Sequence, residues 1–199
     1  ADVLGLKAGE YALKVVPVVD GTEKTEAANV ATGLMVRAHD RSGFAFNTDK
    51  MPGAYKADGT LKDDAQVVYI TDANKDNVTW DVNVNGNKKP LTTCVGLQGI
   101  LDGIKKGNED RPFVFRLIGN VNVPTGDKGD IVIDMNKKDT SAGVTIEGVG
   151  NDAVANGWGI RLKGVRYAEV ANIGFFNCAS GEGDNIGLQQ DNEHVWVHH

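Results

Sequence analysis

Gly181-Glu182-Gly183-Asp184 sets two carboxylates at positions i and i+2. On an extended strand that spacing points both side chains to one face, so both could reach a single ion. A hard cation such as Ca²⁺ takes several oxygen ligands at about 2.3–2.6 Å, which Asp and Glu supply. The same four residues also read as a solvated acidic turn, and taken alone they favour that turn. His198-His199 could suggest a transition-metal site. Adjacent strand residues face opposite ways and do not readily chelate one ion, so one histidine is expected to face the core and the other solvent. Asp72-Ala73-Asn74-Lys75-Asp76-Asn77 lacks the Gly and terminal Glu of an EF-hand loop at their offsets and reads as a polar turn. Cys94 and Cys178 are too few for a disulfide scaffold, and sequence does not set the distance on which pairing would depend. Trp158 and Trp196 sit among apolar neighbours and read as packing residues rather than sugar-stacking platforms.

The scaffold holding these residues is bounded by composition. A chain of 199 residues suits one domain, or one domain with a small annex. At 41% hydrophobic and 24% charged it can bury a core, which argues against wholesale disorder. No apolar run approaches the roughly 18 residues of a membrane-spanning helix. A net charge of −6 argues against a general nucleic-acid binder, which would carry a basic patch. No basic n-region with a long apolar h-region opens the chain, but a mature secreted protein would look the same.

The 25 glycines against 5 prolines punctuate short β-rich runs, as expected of many strands joined by tight turns. Residues 1–47 read as an N-terminal extension with a strand at Tyr11–Val19, a turn at Asp20-Gly21 and a second strand at Gly33–Ala38. The Gly9–Gly21 segment resembles the last strands of a fibronectin-type-III-like module. From residue 48 a β-rich unit follows, with early strands at Gln66–Thr71 and Val78–Val84. One helix is predicted, with Thr92 or Thr93 as N-cap, an apolar face of Val95, Leu97, Ile100, Leu101 and Ile104, and Gly107 closing it. Beyond Pro112 no helical period occurs. The runs Phe113–Ile118, Ile131–Met135, Val144–Glu147, Ile160–Leu162, Val170–Phe176, Ile186–Leu188 and Val195–Val197 suit a sandwich, a barrel or a β-solenoid. The shortness of several runs and the lack of two-residue Asn-Gly connections between them favour the solenoid, with the helix covering its first coil.

Successive segments of this region resemble the coils of family 1 pectate lyases. The segments are Val144-Thr145-Ile146-Glu147-Gly148-Val149-Gly150, Gly157-Trp158-Gly159-Ile160-Arg161-Leu162, Val170–Asn177, Asp184-Asn185-Ile186-Gly187-Leu188 and Val195-Trp196-Val197-His198-His199. They follow the family's order, and the likeness spans about Val67 to His199. It implies an all-β, right-handed parallel β-helix over 48–199 with a short N-terminal capping helix. It also implies Ca²⁺-dependent cleavage of polygalacturonate (pectate) by β-elimination.

On this resemblance Asp184 matches the family's calcium aspartate, and Glu182 falls where many members carry a second Asp. A divalent cation between protein and polymer would remove the repulsion between an acidic enzyme and an acidic substrate. The family's base is an Arg, whose pKa above about 12 demands strong local depression or an unusual role. That Arg, with the remaining calcium acids and a substrate-binding Lys, is expected beyond His199. The chain therefore reads as the N-terminal half of a lyase, inactive alone, secreted or extracytoplasmic, and monomeric when full-length. One departure stands out: the family has Asp where this chain has His198. The competing expectation is a non-catalytic carbohydrate-binding β-solenoid, which needs neither metal nor base.

Overall fold

The computed structural model describes residues 2–38, 40–46, 50–86, 89–124, 129–135 and 142–199. The boundary expected between residues 47 and 48 lies outside them. In chain order the strands before the helix are β1 (Gly9–Val15), β2 (Val18–Val19), β3 (Thr22–Glu23), β4 (Asn29–Val36), β5 (Gln66–Ile70), β6 (Thr79–Val82) and β7 (Thr92–Val95). The helix α1 (Leu97–Lys105) follows. After it come β8 (Phe113–Asn122), β9 (Asp130–Asp134), β10 (Val144–Asn156), β11 (Gly159–Lys163), β12 (Arg166–Ala171), β13 (Gly174–Phe176), β14 (Ile186–Gln189) and β15 (Glu193–His198).

The architecture is mostly β with parallel sheets, in line with the all-β expectation. A first parallel sheet runs β15-β12-β10-β8-β5, and a second runs β14-β11-β9. A third parallel ladder joins the last residues of β8 and β10 to β13 through Val121, Ala155 and Phe175. From β8 onward the chain visits the first sheet, the third ladder and the second sheet in rotation, always in the same direction. Period-2 side-chain alternation then fixes which residues face inward. Val68, Phe115, Ile146 and Val170 stack in register in the first sheet, and Ile131, Ile160 and Ile186 in the second. Phe113, Phe115, Leu117, Ile146, Trp158 and Leu162 are fully or almost fully buried in the one core these stacks enclose. The packing role read for Trp158 therefore holds, and its indole N–H donates to the Val121 carbonyl at 2.8 Å. Stacked asparagines tie the turns: Asn177 donates to Asn156, and Asn156 to Asn122, each at 2.9 Å.

Three sequence expectations change. Thr92, Thr93 and Val95 do not belong to the helix. They form β7, antiparallel to β6, and Val95 is 55% exposed. β-Branched residues suit this ribbon, Thr93 donates to Asp81 at 2.6 Å, and α1 starts only after Gly96 turns the chain with φ +76°. The apolar face of Leu97, Ile100, Leu101 and Ile104 is buried as read, and the Gly107 N–H closes the last turn on the Ile104 carbonyl at 2.8 Å. Second, the run Val170–Phe176 is split, because Asn172 takes φ +54° and turns β12 into β13. Third, Tyr11–Val19 is broken after Val15, and β1 pairs with β4 as an antiparallel ribbon. The Asp20-Gly21 turn joins β2 to β3 as expected. No described helix is long and apolar enough to cross a membrane.

Candidate functional site

Outward positions of the second sheet carry most of the chemistry. With Ile131, Ile133, Ile160 and Leu162 turned inward, Asp130, Val132 and Asp134 on β9 and Arg161 and Lys163 on β11 fall on the opposite face. Helix α1 packs beside β9, where the Gln98 side-chain amide imitates a strand. It accepts from the Val132 N–H at 2.8 Å and donates to the Val132 carbonyl at 3.1 Å. That contact brings Lys105 over the sheet, with its ammonium 2.9 Å from Asp134 and that of Lys163 3.7 Å from the same carboxylate. A groove of about 430 Å³ results, lined by Gln98, Asp102, Lys105, Asp134, Arg161, Lys163 and Gln189.

Asp184 and Glu182 lie at the edge of this face, on the turn before β14, and both are exposed. They share an ion-sized crevice of about 10 Å³ with Asp130, Arg161 and Gln189. Glu182 accepts from Arg161 at 2.9 Å and from Gln189 at 3.4 Å. The donor set offers hard carboxylate and amide oxygens, which suits a cation such as Ca²⁺. Its convergence is incomplete: among the described residues no group of three or more His, Cys, Asp or Glu side chains is gathered closely enough to hold a metal ion. The sequence reading singled out Glu182 and Asp184 but missed Asp130, Asp134, Arg161, Lys163 and Lys105. The alternations Asp130-x-Val132-x-Asp134 and Arg161-x-Lys163 could have revealed the strand residues, since they mark one polar face.

A second polar cluster lies on the outer side of the first sheet. Tyr69, Arg116, Glu147, Ala171 and His198 are successive rungs of one row. Val114, Thr145, Glu169 and Trp196 form the row beside it. The chain before β5 covers both rows. Gly53 donates to the Tyr167 carbonyl at 2.9 Å, and the Ala54 N–H to Thr145 Oγ1 at 2.9 Å. Lys62 donates to the carbonyls of Gly53 and Ala142 at 2.6 and 3.1 Å, and burial draws its ammonium pKa down to about 8. Arg41 reaches Glu169 through both terminal nitrogens at 3.0 and 3.1 Å and lies over the Trp196 ring. Glu147 accepts from Arg116 at 2.8 Å and from Tyr55 Oη at 2.5 Å. Burial and the Glu147 charge push the Tyr55 hydroxyl pKa strongly upward, so Tyr55 stays a donor.

The histidine expectation is corrected here. Val197, not His198, takes the inward position beside Val170. His198 faces outward with its Nε2 3.0 Å from Glu169 Oε1, and stacks on Trp196. His199 is exposed at φ +64°, which brings the two Nδ1 atoms to 2.5 Å, so neither histidine lies in the core. Cys94 and Cys178 are both free thiols, the first on β7 and the second in the turn after β13. No protein-family model, curated protein or solved structure matches the chain.

Proposed function

We propose that this chain is the substrate-facing part of a right-handed parallel β-helix of the pectate-lyase kind, acting on polygalacturonate in a Ca²⁺-dependent β-elimination. One observation carries the reading. Same-direction strands stack so that Asp130, Asp134, Arg161, Lys163, Glu182 and Asp184 share one outer face beside Lys105. A polyuronide needs such a face: cations for its carboxylates, acceptors for its hydroxyls, and hard oxygen ligands for a bridging ion. Asp184 and Glu182 would hold the ion, with Asp130 behind them. Bound there, Ca²⁺ supplies electron withdrawal from a uronate carboxylate and so acidifies the neighbouring C5 proton.

This chain's residues bind and orient. Glu182 holds the Arg161 guanidinium at 2.9 Å, and the remaining N–H groups of that guanidinium can donate to a uronate carboxylate. Lys105 and Lys163 flank Asp134 along the groove and hold a neighbouring sugar by its carboxylate and hydroxyls. In the second reading, a non-catalytic carbohydrate-binding solenoid, Lys105, Arg161 and Lys163 along the groove meet the polymer with neither metal nor base.

Calorimetric titration with Ca²⁺ and affinity electrophoresis through polygalacturonate test both readings. The expected result is Ca²⁺-dependent retention, with Asp184→Asn weakening Ca²⁺ binding about tenfold, as loss of one charge-assisted ligand implies. Retention that persists in chelator and in Asp184→Asn overturns the calcium reading in favour of the binding module. Ultraviolet absorbance of the unsaturated product follows cleavage. No residue placed on this face acts as the base, so the lyase reading is tested by the Ca²⁺ dependence of retention, and Ca²⁺-dependent product formation by this chain would overturn the expectation that it is inactive alone.

A further inference from the structure

The two ends of the strand stack differ. At the first end α1 covers the core, and the Gln98 side-chain amide occupies the free edge of β9. At the other end β13, β14 and β15 each pair on one side only among the described residues. The inward stacks lie open there. Leu188 and Val197 are 58% and 45% exposed, whereas their in-register neighbours one strand back, Leu162 and Val170, are 0% and 2%. Phe44, 99% exposed, rims a groove of about 520 Å³ that Leu188 and Val195 also line, and so extends this apolar surface. Natural edges are protected by Lys, Pro or a covering element, and neither β14 nor β15 contains a Lys or a Pro.

The backbone of β15 is complementary to itself. The Asn172 N–H donates to the His198 carbonyl at 3.2 Å, so the amides of Trp196 and His198 face β12 and those of Val195 and Val197 face the open side. A two-fold axis through Trp196 sets β15 antiparallel to β15 of a second copy, with Val195 opposite Val197. Each such pair exchanges two N–H···O=C bonds, four in all, and valine meets valine on the inward face. Centring the axis on Val195 would set Val197 against Glu193, and centring it on Val197 would set Val195 against His199. Only the Trp196 register matches both valines. Because α1 closes the opposite end, head-to-tail stacking is blocked, and the contact closes as a pair instead of growing into a filament.

We propose that the open end of the stack is a docking surface for a second copy of this chain, joined through antiparallel pairing of β15 centred on Trp196. The inference goes beyond the proposed function and uses neither Glu182 nor Asp184.

Sedimentation velocity over a dilution series of the full chain, in chelator so that no ion bridges the acidic turns, tests it. A reversible species of twice the chain mass is expected. Val197→Pro removes an N–H that faces the open side and so costs no internal bond, but it deletes two of the four bonds between the copies. It should weaken association about thirtyfold, the worth of two hydrogen bonds. Trp196→Cys tests the register, because only this axis places residue 196 opposite itself, about 4.5 Å away between Cα atoms and within disulfide reach. Mild oxidation should cross-link Trp196→Cys into a dimer but not Val195→Cys. Circular dichroism checks that each variant folds, and if one does not, the other decides. The proposal is overturned by a single-chain mass at every concentration, which would leave the end to a different polypeptide. It is equally overturned by species larger than two copies, by association unchanged in Val197→Pro, or by cross-linking of Val195→Cys in place of Trp196→Cys.

Discussion

Arg41 on the N-terminal segment, Thr145 on β10 and His198 on β15 all meet the carboxylate of Glu169, which is 3% exposed. Burial alone would raise the pKa of that carboxyl, but hydrogen bonds from His198 and Arg41 and the Arg41 charge outweigh it, and the net shift is downward. A carboxyl whose folded pKa is depressed contributes stability above its unfolded value, near 4.3, and loses it as pH falls through the folded value. Glu169→Gln should therefore cost about 3 kcal/mol at neutral pH by leaving Arg41 buried without its counter-charge. It should also flatten the decline of stability below about pH 4. Urea unfolding at a series of pH values checks both, and a variant with an unchanged acid limb would mean that Glu169 is not the linked group. Gly53 shows why the segment fits so closely there. At φ +66° any Cβ would fall on Thr145 Oγ1 and within 2.6 Å of the Glu169 Cβ.

At the scale of the element, α1 does two jobs. Leu97, Ile100, Leu101 and Ile104 cover the core, while Gln98 occupies the hydrogen-bonding edge of β9. An uncovered edge would leave unpaired N–H and C=O groups that invite pairing with another chain. Gln98→Ala should destabilise by about 1–2 kcal/mol, the worth of two hydrogen bonds, and increase self-association on warming. Thermal unfolding followed by light scattering measures both effects, and equal scattering by the two proteins would show that the helix body alone protects the edge. The apolar face of this helix was legible in its three- and four-residue spacing. Its start was not: Thr92 and Thr93 have the right chemistry for a cap, but pairing with β6 claims them first. Local preference lost to a tertiary partner.

For the whole molecule, charge governs how a polyuronide is met. A chain of net charge −6 repels a polyanion, and added monovalent salt screens that repulsion. Without divalent cation, affinity for polygalacturonate should therefore rise with NaCl, whereas with Ca²⁺ bridging the two it should fall as monovalent ions compete. Affinity gels run across a range of NaCl, with Ca²⁺ and with chelator, read the two signs. A falling dependence in both would place the attraction in the cations Lys105, Arg161 and Lys163 rather than in a bridging ion.

Composition, period-2 alternation and the three- and four-residue spacing of α1 determined the β-rich character, most of the strand runs beyond Pro112 and the buried helix face. These follow from forces acting within a few residues of chain, so they can be read from the chain. Only the tertiary structure decided that Arg41 meets Glu169 across 128 positions, that Tyr55 meets Glu147 across 92, and that Lys105 and Lys163 close on Asp134. It also decided that His198 turns outward and Val197 inward. Parallel stacking fixes such pairings through the registers of strands remote in sequence, and a one-residue slip would exchange every inward and outward side chain. No local pattern in the sequence carries that register.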